Sequence, residues 1–424
     1  MLRKILFCFL FLVTLFASCD EFGNGHENGA NSGGTPNVGS PGLPAIKPFV
    51  KGDTVSRTLL LYLMAENSIS DYLEDDYDEI KCAAYSLPDD ARMFVFFDNS
   101  DTTRLPSLVQ YHPYNGRLVE NVVYEFKQDV CSSDTAVLGK VLDVVFANYP
   151  TCAFDLVMGS HADGWVRHHA KSAPNRIIGI DNGKNSYRDD ITTTIEIEEL
   201  AALLERMPLK VDRLMFDACL MQGVEVAYAL RNAANWIIAS PAEIPANGAP
   251  YHKVVPEFFN PASGVEGVMR EYKADYDNEY YASVFSAVRT EFMQELADVT
   301  GIYVEKYFSA DTVNNYTSCL AYAPRVAPAY YDVNSVMKKF LDAADYEHWR
   351  SVFDKAVPYI MVSDSKSGSS KVWSNKSNSL VYITDDCGAV SAYFPQNKVA
   401  NKTSNADFRT TEWYNAAGWA GAGW

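Results

Sequence analysis

Two short stretches carry side chains able to do covalent chemistry. Ser160-His161-Ala162-Asp163-Gly164-Trp165 holds an imidazole, and Phe216-Asp217-Ala218-Cys219-Leu220-Met221-Gln222 holds a thiol. A thiol is weakly ionised near neutral pH and becomes a competent nucleophile beside an imidazole base. Each group alone has a plainer reading. A cysteine in an apolar run is usually core, and a lone histidine is usually structural. Their pairing is what favours chemistry. The attacked carbonyl would need backbone N–H donors for its developing negative charge, and Ala162 and Cys219 are placed to supply them. Asp217 has two readings, as the cap of a following helix or as a carboxylate that binds a basic group.

The elements that would position these groups are legible as apolar runs. Residues 58–65, 93–98, 154–160, 211–217 and 236–240 are strand-length and nearly continuous in apolar residues, as expected of strands buried on both faces of a parallel sheet. A further strand is expected at 121–126, after a turn at His112–Gly116. Helices are expected at 67–84, capped by Asn67 or Ser68, and at 135–148, capped by Ser133 or Asp134. Others are expected at 195–207, 221–232 and 291–307. The alternation predicts an α/β fold, a mostly parallel central sheet flanked by helices. If strands 154–160 and 211–217 are neighbours, His161 and Cys219 leave the same sheet edge, where open α/β sheets bind ligands. A helix starting just after Cys219 would favour its thiolate. After residue 250 the pattern weakens. A strand at 281–288 and a strand pair, 380–384 with 389–395, are expected there. The C-terminal region, 251–424, is read as an α+β extension that completes the sheet of a 51–250 core.

The first eighteen residues read as a signal peptide. Arg3 and Lys4 precede twelve nearly apolar residues, Ile5 to Phe16, too short for the ~20 of a spanning helix. Leu15-Phe16-Ala17-Ser18-Cys19 resembles a bacterial lipoprotein signal, with Cys19 as the lipidated new N-terminus. Asp20-Glu21 resembles the acidic tag of surface lipoproteins in Bacteroides-like bacteria. Residues 19–50, rich in Gly, Asn, Pro and Ser, read as a flexible tether. The expected location is therefore the cell envelope, at the outer membrane and cell surface, with the lipid as the membrane contact. The chain of 424 residues carries a formal charge of −18, which argues against nucleic acid as a partner. Of eight cysteines, those beyond residue 19 are sparse and lack CxxC spacing, so neither a disulfide framework nor a zinc site is indicated.

S-H-A-D-G-W followed by F-D-A-C-L-M resembles the clostripain-like cysteine peptidases, which share the caspase-like fold. Y-L-M-A-E-N (62–67) is similar to that family's first strand. Residues 240–251 keep Ser240, Pro245, Gly248 and Tyr251 at the family spacing, and 389–395 looks like its late strand. The resemblance implies His161 as general base, Cys219 as nucleophile and Asp217 as the carboxylate of the specificity pocket. It implies cleavage of protein or peptide substrates after Arg or Lys, activated by a cut in the loop holding Arg167, Lys171, Arg176, Lys184 and Arg188. Two residues depart from the pattern: Ala162 stands for the family's Gly and Ser160 for its Asp. They keep a second reading open, an inactive surface lipoprotein that binds peptides.

Other features have plainer expectations. His168-His169 reads as a solvated loop pair, and no metal site is expected. Some relatives respond to calcium, but no EF-hand-type loop is present and no cofactor is expected. Glu74-Asp75-Asp76 reads as a solvated helix face. Trp413, Tyr414, Trp419 and Trp424 read as a packed terminal segment. The expected state is a monomer.

Overall fold

The computed structural model describes residues 54–114, 117–166, 178–183, 193–277, 279–324, 326–366 and 368–424. The expected signal peptide, Cys19, the tether, His168-His169 and the five basic residues of the expected activation loop lie outside the described residues.

In chain order the elements are β1 (Val55–Ala65), α1 (Ser70–Ala83), β2 (Ala91–Asn99), β3 (Ser107–Tyr114), β4 (Arg117–Glu125), α2 (Thr135–Asn148) and β5 (Thr151–Gly159). Next come β6 (Ile178–Asp181), β7 (Thr193–Ile195), α3 (Ile197–Glu205), β8 (Val211–Asp217), α4 (Val224–Ala229), β9 (Ala234–Ala239), α5 (Tyr251–Phe259) and α6 (Gly264–Tyr276). The C-terminal part adds β10 (Val284–Arg289), α7 (Met293–Tyr307), β11 (Tyr331–Asp332), α8 (Val333–Phe340), α9 (Ala343–Ala356), β12 (Tyr359–Val362), β13 (Lys371–Ser374), β14 (Ser379–Tyr382), β15 (Ser391–Ala392), α10 (Lys402–Phe408) and α11 (Glu412–Ala416).

Nine strands form one sheet in the order β12-β10-β9-β8-β5-β1-β2-β3-β4. The five central strands are mutually parallel, and the two outermost on each side are antiparallel. Alternation along the apolar runs divides the core into two layers. Leu60, Tyr62 and Met64 face a layer with Leu138, Leu142 and Leu200. Leu59, Leu61 and Leu63 face one with Tyr77, Tyr251 and Tyr272. These strands are buried on both faces, which is why they read as unbroken apolar runs.

One buried charge cluster ties three of these strands together. Asp155 on β5, fully buried, accepts from Arg213 Nε (3.0 Å) and Nη2 (2.5 Å), and from Arg57 Nη1 (2.8 Å). Arg57 also reaches Asp212 (2.9 Å).

Several expectations are corrected. The strand β3 runs through His112, Pro113 and Tyr114, three residues of the expected turn. Residues 380–384 and 389–395 do not pair with each other: β14 pairs with β13 and β15 with β11. Short pairings of this kind are set by what the segments pack against, and an Asp-Asp-Cys-Gly turn signal does not report that. The helix expected at 221–232 shrinks to α4, six residues starting at Val224. The helix α1 begins at Ser70 with no side-chain cap, and Asn67 Oδ1 instead accepts from Ile69 N (3.0 Å). Asp134 caps α2 through Ala136 N (2.8 Å).

Candidate active site

β5 and β8 are parallel neighbours, with Leu156–Gly159 opposite Leu214–Asp217. The pairing reaches the sheet edge, where Ser160 N donates to Asp217 O (3.4 Å). Parallel strands advance in step. Two residues past each end of the Gly159–Asp217 pair, His161 and Cys219 therefore leave the same edge from neighbouring strands.

The histidine loop is pinned from below. Ser160 Oγ donates to Met64 O (3.0 Å) and accepts from Ile180 N (3.2 Å). Asn67 Nδ2 donates to Met64 O (2.8 Å) and Ile180 O (3.0 Å) and touches Ser160 Oγ (3.3 Å). The serine at the family's Asp position is thus the hub joining the ends of β1, β5 and β6. Ala162 forms an isolated bridge with Ile178, closed by Gly179 N donating to His161 O (3.0 Å). Positive φ is found at Leu220, Asn378 and Ala389 but not at Ala162, so alanine fits there without strain. The amides of Ala162 and Cys219 donate to no protein acceptor among the described residues. Half-buried His161 places Nε2 2.9 Å from Ser68 Oγ, a partner that sequence reasoning had taken for a helix cap.

Cys219 is half-buried against the core, and Ile244 N donates to its Sγ (3.4 Å). The chain turns sharply just after it, with Leu220 at φ 62° and its amide bound to Ala242 O (3.0 Å). The expected help from a helix N-terminus is absent, because α4 starts five residues on. Burial pushes the thiol up to about 12, partly offset by the Ile244 amide and reinforced by the carboxylates of Glu243, Asp163 and Asp217. The thiol is therefore neutral in this arrangement.

Asp217 is buried and caps no helix. Its Oδ2 accepts from Ala249 N (3.0 Å) and Tyr251 Oη (2.9 Å). Gly248, at φ +59°, lies so close that a Cβ there would sit 2.5 Å from that same oxygen. Gly248 and Tyr251, two residues of the 240–251 resemblance, thus act together as the support of Asp217. Asp76 of α1 is also buried at this point, correcting its reading as part of a solvated face. It shares the inward stripe with Leu73, Tyr77 and Ile80, while Asp75 beside it is exposed.

The β13–β14 hairpin closes over both loops. The Glu243 carboxylate accepts from Ser374 Oγ (3.0 Å), Asn375 N (3.0 Å) and Lys376 N (2.9 Å), and Lys376 Nζ pairs with Asp163 (3.0 Å). Sequence reasoning missed Glu243 and Lys376, whose roles depend on contacts 131 or more residues away. Elsewhere, one carboxylate oxygen each from Glu66, Asp98 and Asp129 lie within 4.8 Å of one another, an oxygen set able to hold a hard cation. Trp413, Tyr414 and Trp419 are buried, and Trp424 Nε1 donates to Phe308 O (2.6 Å). No helix among the described residues is long and apolar enough to cross a membrane.

An imidazole and a thiol at neighbouring carboxyl ends of a mostly parallel, helix-flanked sheet define the class of caspase-like cysteine peptidases. Within it, the chain belongs to the Clostripain family, whose profile matches residues 61–424. It is 26% identical over 220 residues to clostripain of Hathewaya histolytica, covering 46% of this chain and 41% of that protein, so the match spans about two-fifths of the curated relative's length. A secreted C11 cysteine protease from Bacteroides thetaiotaomicron, solved with an irreversible peptide inhibitor, is 25% identical with a TM-score of 0.73, covering 86% of this chain and 99% of that one. An inactive zymogen C11 protease from Parabacteroides distasonis shares the fold at 23% identity and a TM-score of 0.70, over 87% of this chain and 99% of that one.

Proposed function

We propose that the protein is a cysteine endopeptidase that cleaves after Arg or Lys. The observation that carries this reading is the β5–β8 register, which brings His161 and Cys219 to one edge of the sheet. In the reaction, Cys219 Sγ attacks the scissile carbonyl and His161 takes the thiol proton. The amides of Ala162 and Cys219 donate to the oxyanion. The C–N bond breaks, His161 returns the proton to the leaving amine, and a thioester remains. Water then attacks, His161 accepting its proton and returning it to the thiolate as the C–S bond breaks. Asp217, without a basic partner among the described residues, pairs with the cationic side chain that precedes the bond.

The neutral thiol fits a precursor that must rearrange before it works. A cut in the loop between His161 and Cys219, after one of Arg167, Lys171, Arg176, Lys184 or Arg188, would free that loop to move. Lipid on Cys19 would hold the enzyme at the outer membrane. Mass spectrometry of the mature protein reads both the lipid and any internal cut. The activity is tested with fluorogenic peptides ending in Arg, Lys or a neutral residue, using wild type and Cys219→Ala. Turnover of the basic peptides by wild type alone is expected; equal turnover by both proteins sinks the proposal.

A further inference from the structure

Asp76 and Asp217 meet beneath Gly248, although 141 residues separate them in the chain. A Cβ placed on Gly248 would lie 2.5 Å from Asp217 Oδ2 and 3.2 Å from Asp76 Oδ2. The two oxygens flank one point and lie no more than about 6 Å apart, within reach for one carboxylate to raise another's pKa. Both residues are over nine-tenths buried, at 3% and 5% exposure. Asp217 Oδ1 and Asp76 Oδ2 have no hydrogen-bond partner, and no Lys, Arg or His among the described residues pairs with either acid.

Two buried acids with open oxygens make a poor structural device. A buried charge left unpaired costs several kcal/mol, and an amide or apolar side chain would pack there at less cost. The surroundings deepen the negative field. Glu79 and Asp75 lie on the same helix as Asp76, and His252 on α5 is engaged with Glu79 (3.0 Å). The facing groups of α5 and α6 are the neutral phenols Tyr251, Tyr272 and Tyr276, with Asp275 beyond them. Burial, then the like charge of its neighbour, raises Asp76, and burial raises Asp217. The pair therefore keeps a proton while nothing cationic is present. Asp217 lies two residues from Cys219, at most about 7 Å along the chain, so a basic side chain next to the reacting carbonyl is within range.

We propose that Asp76 is a second specificity-determining carboxylate, forming with Asp217 a two-acid floor that holds one proton when empty and releases it to solvent when a guanidinium or ammonium enters. This rests on the reading of the protein as a peptidase for basic residues. The planar guanidinium fork engages two carboxylates better than an ammonium does, so the pair favours Arg over Lys. An entering cation stabilises the ionised pair, so basic ligands bind more tightly as pH rises through the titration of the empty site.

The test has two parts. In the first, Asp76→Asn, Asp217→Asn and wild type are compared on Arg, Lys and neutral peptides, after thermal melts confirm folding. Asp76→Asn is expected to lose roughly 10–100-fold in kcat/KM on Arg peptides, mostly through KM, with a smaller Arg/Lys ratio. In the second, Cys219→Ala, with its loop cut by a trace of wild type, is titrated calorimetrically with an Arg peptide near pH 7 in buffers of differing ionisation enthalpy. About one proton is expected to leave on binding. Tight binding without proton release, or an Asp76→Asn enzyme with wild-type KM and Arg/Lys ratio, overturns the inference. If Asp217→Asn alone loses basic turnover, only the inference falls. If wild type cleaves neutral peptides and spares basic ones, the underlying reading falls with it.

Discussion

Replacing Gly164 by Ala tests how the loops carrying His161 and Cys219 are held together. Gly164 follows His161 by three residues, has φ +71°, and lies against the carbonyl of Leu220, the residue after Cys219. A Cβ there would sit 2.7 Å from Leu220 O, a backbone atom that cannot swing aside. A left-handed conformation costs a residue with a Cβ about 1–2 kcal/mol, and the contact adds to that unless one loop retreats by several tenths of an ångström. Retreat moves the imidazole away from the thiol, and misplacement of about 1 Å costs on the order of 100-fold in rate. The expected phenotype is therefore lopsided. Folding stability should fall by about 1–3 kcal/mol, while kcat on an Arg peptide falls by one to two orders of magnitude and KM changes little. Steady-state kinetics with a fluorogenic peptide, alongside urea unfolding, separates the two effects. Wild-type kcat in a Gly164→Ala protein of normal stability would refute the claim that this contact sets the spacing of the dyad.

Two further outcomes follow from buried charges. Asp155→Asn removes the negative charge and one acceptor oxygen facing Arg213 and Arg57 at the middle of β5, and urea unfolding should show a loss of about 3–5 kcal/mol with KM unchanged. Glu225, buried beside the Tyr393 amide, is pushed up to about 7 by burial. Its folded pKa exceeds the unfolded value, so the folded state holds the proton longer and stability declines as pH rises from about 4.5 to about 7. Glu225→Gln should flatten that part of the stability profile, measured by urea unfolding at pH 5 and pH 7; an unchanged slope would show that the carboxyl titrates normally.

The parts legible in the sequence were those governed by local pattern. β1, β2, β5 and β8 are buried on both faces, and that environment leaves continuous apolar runs. The placement of His161 and Cys219 was legible because each follows the end of such a run, so chain position alone put both at carboxyl ends of strands. The neighbouring groups were less so. Glu74-Asp75-Asp76 looks uniformly acidic in one dimension, although a helix turns its third member onto the stripe of Leu73, Tyr77 and Ile80. Asp217 kept a second reading as a helix cap, since its partners on Ala249 and Tyr251 lie more than thirty residues on.

The sequence by itself determined the α/β alternation, the family, and which imidazole and thiol stand at strand ends as the proposed base and nucleophile. Tertiary structure alone decided that β5 and β8 are neighbours in register, that a C-terminal hairpin closes on Glu243 and Asp163, and that Asp76 meets Asp217 under Gly248. The physical reason is the range of the forces. Hydrophobic periodicity and turn chemistry act over a few residues and leave their mark in the chain. Hydrogen bonds and charge pairs between distant segments exist only once the core has brought those segments within about 3 Å of one another.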